Sequence, residues 1–90
     1  MNKKEFQKTL EQAEFYCTKY FAIIVDLGND EYELIVNHLS NLKSKYDYYM
    51  NAYDDDMKHK NAPIKIADVI AADNIMFIAD AYDNYIKEQQ

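Results

Sequence analysis

The chain has 90 residues, of which 49% are hydrophobic, with ten lysines, no arginine, sixteen acidic residues and a net charge of −6. That length makes a single domain of 1–90, and one cysteine, Cys17, excludes an internal disulfide and a cysteine-based zinc site. Excess acid without arginine argues against direct nucleic-acid binding, which leans on basic patches and arginine forks, and against an anionic membrane surface.

One glycine and one proline leave few obvious places to turn. Sandwiches and barrels need a turn every 8–12 residues or so. The composition therefore predicts an all-α fold, an antiparallel bundle of three long helices at about 2–27, 30–57 and 63–88.

The first segment carries Phe6, Leu10, Ala13, Cys17, Tyr20 and Ile24 at alternating spacings of four and three, a helical seam. Asn2 is placed to cap it, with Glu5 three residues on. Gly28 supplies the left-handed residue that commonly ends a helix. On the seam, Cys17 is expected to be buried and inert. A competing reading makes Tyr20–Val25 and Tyr32–Val36 the arms of a β-hairpin turning at Gly28-Asn29. Leu34-Ile35-Val36 breaks the alternation expected of a two-faced strand, and the bundle is preferred.

The second segment repeats the seam through Tyr32, Ile35, Leu39, Leu42, Tyr46, Tyr49 and Tyr53, then fades at Asp54-Asp55-Asp56. Acids at a helix C-terminus oppose its dipole, so this end is expected to fray or to meet a basic partner. In the third, Pro63 sits where a first helical turn tolerates it. Ile64, Ala67, Ala71, Ile75, Ile78, Tyr82 and Tyr85 then share one face. Tyr46, Tyr49, Tyr53, Tyr82 and Tyr85 fit either a core rim or a binding groove.

Catalytic equipment is missing from the sequence. His38 and His59 have no cysteine or nucleophile elbow beside them, and one glycine cannot build a phosphate loop. Three adjacent aspartates on a helix diverge by about 100° each, and no calcium-loop pattern follows them. No catalytic, cofactor or metal site is expected. The longest apolar run, Tyr20–Val25, is far short of the roughly 20 residues of a membrane helix. With a charged N-terminus lacking a signal-like stretch and a lone thiol, the cytoplasm is the expected compartment.

What remains is surface. Phe15 and Ala22 lie opposite the first seam, Met76 lies among Asp73, Asp80 and Asp83 on the third helix, and Tyr48 projects from the polar face of the second. Contiguous apolar patches mark interaction sites. Phe15, Ala22, Tyr48, Asp54, Asp55, Asp56, Asp73, Met76, Asp80 and Asp83 are therefore the candidate partner-binding residues. They suggest a non-enzymatic module that docks on and modulates a protein with a basic surface, and that self-associates as a homodimer. Lysine without arginine, with many Asn, Ile and Tyr, is AT-rich codon usage and fits a phage- or plasmid-encoded accessory protein of a low-GC bacterium. One alternative is an acidic nucleic-acid mimic, with Asp47 added to the acids above. The other is an oligomeric helical bundle enclosing a small ligand.

Overall fold

The computed structural model describes all ninety residues. Asn2 opens the first helix by accepting the Glu5 amide on its side-chain oxygen at 2.9 Å. This helix, α1 (Lys3–Tyr16), buries Phe6, Leu10 and Ala13 as the spacing predicts. It stops at Tyr16, far short of residue 27. Cys17 takes a left-handed conformation (φ 52°), and its N–H donates to the Ala13 and Glu14 carbonyls. The thiol is consequently exposed, not buried on a seam.

The next two elements are strands, β1 (Tyr20–Gly28) and β2 (Glu31–His38), paired antiparallel from Tyr20 opposite His38 to Gly28 opposite Glu31. The turn uses Asn29 (φ 55°) and Asp30 (φ 62°), the two positive-φ positions that a type I′ hairpin loop demands. Gly28 (φ 87°) precedes them at a register shift, its N–H donating to the Asp26 carboxylate at 2.8 Å. The hairpin reading of residues 20–36 is thus the one the structure adopts.

A 3₁₀ turn (Leu39–Asn41) leads into α2 (Leu42–Ala52), which buries Leu42 and Tyr49 and is followed by buried Tyr53. The Asp54 carboxylate then accepts the amides of Asp56 (2.9 Å) and Lys58 (3.0 Å). That reversal puts Met57 (φ 58°) fully into the core. Pro63 lies in the following loop, not in a helix, and β3 (Lys65–Ala72) pairs antiparallel with β1 on the side away from β2. The sheet order is β2-β1-β3. Asn74 caps the last helix, α3 (Ile75–Glu88).

The fold is therefore mixed, three α-helices with a three-stranded antiparallel sheet, and not an all-α bundle with helices at 2–27, 30–57 and 63–88. The reason lies in the central strand. Phe21, Ile23 and Val25 point to one face, where they join Phe6, Leu10 and Tyr49 beneath α1 and α2. Ala22 and Ile24 alternate to the other face, which α3 covers with its buried Ile78. All five strand residues are buried, and a strand covered on both faces reads as an unbroken apolar run. Each large side chain buried this way contributes about 1.5–3 kcal/mol, well beyond the helical preferences of the same residues. No helix is long and apolar enough to cross a membrane.

Candidate functional site

Three chain reversals meet at one end of the sheet. There α1 ends, β1 begins at Tyr20, and Tyr20 lies opposite both His38 of β2 and Ala72 of β3. The Lys19 N–H donates to the Asp73 carboxylate at 2.9 Å, tying the α1–β1 link to the β3–α3 link. Asn74 then accepts the amides of Met76 (2.7 Å) and Phe77 (3.4 Å) on its side-chain oxygen, which fixes the first turn of α3.

The two helix ends so placed carry apolar side chains into solvent. Phe15, Tyr16, Ile75, Met76 and Phe77 are between 51% and 79% exposed. Phe15 and Tyr16 pack edge to face with ring centroids 5.1 Å apart. Large exposed apolar residues usually occur singly on monomers; here two from α1 and three from α3, helices on opposite faces of the sheet, are exposed at one end and are the candidate docking residues. Carboxylates border them. Asp80 and Asp83 follow Met76 at helical spacings of four and three, and all three are exposed.

The other predicted surface residues fall elsewhere. Ala22 is fully buried in the central strand and cannot touch a partner; its place opposite a helical seam disappeared with the helix. Tyr48 is half exposed on α2, its ring against Tyr49 (5.2 Å) and Tyr53 (6.4 Å). Asp54, Asp55 and Asp56 form the turn after α2, where Asp54 serves the backbone, and Asp73 is engaged with Lys19. Asp47 and Asp54–Asp56 belong to the α2 side of the sheet and Asp80 and Asp83 to the α3 side. They do not make one row. Tyr49 and Tyr53 are core, while Tyr46, Tyr82 and Tyr85 are half-buried.

Tyr16, Ile75 and Phe77 escaped the sequence reading. The helical spacing that runs on from Ile64 places Ile75 inward, although a strand intervenes and the true α3 starts at a new phase. The available signal was Asp73-Asn74, a capping residue directly before an apolar run.

Chemically reactive groups do not gather. His59 accepts the Asn61 amide on Nδ1 at 3.0 Å, His38 rests its ring on Tyr20 at 5.0 Å, and Cys17 is an exposed free thiol. No three His, Cys, Asp or Glu side chains converge as a metal-binding group. The apolar-floored groove between α1 and α2, about 200 Å³ and lined by Leu10, Leu42 and Tyr46, has Glu11, Glu14 and Lys43 at its rim. One ion pair forms in the whole chain, Lys65 with Asp26 at 3.8 Å. Fifteen of the sixteen acidic side chains thus lack a cationic partner within salt-bridge range.

No protein-family model, no curated protein and no solved structure shows a significant match to this chain.

Proposed function

We propose that this chain is a non-enzymatic interaction module that docks on another protein through the apolar end formed by α1 and α3 and modulates it. The carrying observation is the concentration of Phe15, Tyr16, Ile75, Met76 and Phe77 in solvent at one end, held by the Lys19–Asp73 and Asn74 hydrogen bonds. The unpaired carboxylates give the partner its chemistry, an apolar pocket with a basic rim, since complementary charge steers and orients encounter. The cytoplasm suits the reading, because an exposed lone thiol persists where thiols stay reduced. The AT-rich composition keeps a phage or plasmid accessory protein of a low-GC bacterium as the concrete version.

The test is retention of a host protein from a low-GC bacterial extract by the immobilised chain. Buried aromatic anchors typically contribute 1–2 kcal/mol or more, so Phe15→Ser and Met76→Ser should each weaken retention roughly tenfold, in low and high salt alike. Retention untouched by both substitutions, or lost on adding salt, defeats the hydrophobic docking reading. The salt-sensitive outcome supports acidic mimicry instead.

A further inference from the structure

The sheet has two edges, β2 and β3, and only β3 is tied to another segment, at its first two residues. On β3 the Ile66 N–H donates to the Met57 carbonyl at 2.9 Å, and Lys58 bridges to Lys65. On β2 nothing corresponds: beyond its ladder with β1, residues 31–38 make no backbone hydrogen bond. An edge of eight residues spans roughly 26 Å. Natural edges are blunted by shortness, proline, charged side chains (lysine above all) or an edge bulge, and the only charges on β2 are Glu31 and Glu33. β2 has no proline or lysine, and the register shift lies in β1 beside the turn. At its middle, Leu34 and Val36, the latter 38% exposed, lie on the face of helix α3, which packs chiefly on β3 and β1, while Ile35 lies on the other face against the main core.

We propose that a second copy of this chain closes this edge, β2 against β2 in antiparallel register about a two-fold axis at Ile35, giving one continuous six-stranded sheet. The strand is self-complementary in that register. Ile35 faces Ile35, Leu34 faces Val36, Tyr32 faces His38 and Glu33 faces Asn37. Apolar residues meet apolar residues, and neither Glu31 nor Glu33 faces another acid, an arrangement that would destabilise a sheet. Sliding the strands by two residues in one direction sets Ile35 against Glu33. A slide of four in that direction puts Glu33 against Glu33.

A second, independent observation falls in the same register. Asn37 is only 8% exposed, and its side-chain Nδ2 is buried without a hydrogen-bond partner. Buried donors in native proteins are rarely left unpaired. In the paired sheet Asn37 faces the carboxylate of Glu33 from the second copy, on the same side of the sheet, and rotation of its amide gives that donor a charged acceptor. The two-fold repeats the bond. Glu33 has no cation of its own to release.

The proposal is independent of the docking residues, which lie at the end of the sheet and not along its side. It is tested by solution mass from light scattering, with circular dichroism confirming that each variant folds. The wild type is expected at the mass of two chains, and Val36→Lys, an edge-blocking change at an exposed position, at the mass of one. Opposed residues in an antiparallel ladder have Cα atoms about 4.5–5.5 Å apart, within disulfide reach. Ile35→Cys in a Cys17→Ser background should therefore form a covalent dimer on mild oxidation. A wild type that stays monomeric up to near-millimolar concentration overturns the proposal. So does a dimer that Val36→Lys leaves intact, or one that fails to cross-link through position 35. A dimer abolished instead by Phe15→Ser or Met76→Ser also refutes the edge and assigns self-association to the apolar end.

Discussion

The Lys3 ammonium donates to the Tyr53 carbonyl oxygen at 2.9 Å, fifty residues away along the chain, and to the Met50 carbonyl at 3.1 Å. These are backbone acceptors that α2 leaves open where it ends, and a cation there also suits the negative end of the helix dipole. The adverse charge that Asp54, Asp55 and Asp56 bring to this helix end is thus answered from within the molecule. Charged hydrogen bonds contribute about 1.5–3 kcal/mol, less where water competes. Lys3→Met should therefore lower unfolding stability by about 1–2 kcal/mol, read as a reduced urea midpoint at unchanged m-value. A loss no larger than that of Lys4→Met, an exposed neighbour, would mean that the contact is idle.

Asp54 makes the neighbouring turn pH-sensitive. Its carboxylate is held below the ordinary 3.8, first by the Lys58 amide, with the Asp56 amide and the charges of Lys58 and Lys3 adding to it. A folded-state pKa below the unfolded one stabilises the fold above about pH 4–5, and that stabilisation is lost as pH falls through 3.8 toward the lower folded value. The stability difference between wild type and Asp54→Asn should be full at neutral pH and shrink steadily below pH 4 or so. Parallel acid-unfolding curves for the two proteins would contradict this.

At the other extreme the tyrosines take over. Burial, with Tyr53, Tyr48 and Glu33 close by, pushes Tyr49 up to about 12, and burial also raises Tyr53, Tyr32 and Tyr85. A raised folded pKa leaves stability intact below the unfolded value of 10.0 and removes it as pH climbs toward about 12. Ultraviolet phenolate titration should show a late tyrosine fraction that ionises together with unfolding. Tyr49→Phe keeps the ring against Phe6, where the centroids lie 5.5 Å apart, and should flatten the alkaline loss.

Where the sequence misled, the cause is visible in particular residues. Phe6, Leu10 and Ala13 were legible because α1 has one buried stripe and one solvated face. Tyr20 and Ile24 continued that spacing by coincidence, inside a strand with both faces covered. The scarcity of glycine implies a scarcity of turns, yet Cys17, Asn29, Asp30 and Met57 adopt positive φ in its place. Asparagine and aspartate do this at modest cost; Cys17 and Met57 do it because the surrounding structure imposes it, which no local pattern records. The exposure of Phe15 and Met76 was legible, since both fall outside any seam, but their common location was not. That depends on β1 and β3 being antiparallel neighbours, joined at this end by Lys19 and Asp73, 54 residues apart.

The turn at Asn29-Asp30 gives a prediction whose sign separates hairpin from helix. Both residues sit at positive φ (55° and 62°), where a side chain is strained and glycine is not. Asn-Gly is the preferred pair for a two-residue type I′ loop, so Asp30→Gly relieves strain at the second position and keeps Asn29 at the first. Removing that strain should raise stability by about 0.5–1 kcal/mol, net of the greater freedom glycine gives the unfolded chain. Were residues 30–57 a helix, the same change would loosen its first turn and remove an acid from its positive end, and stability would fall. Thermal unfolding of Asp30→Gly beside wild type decides it. An increase in Tm of a few degrees is expected, and a decrease would mean that the strands are not joined by this turn.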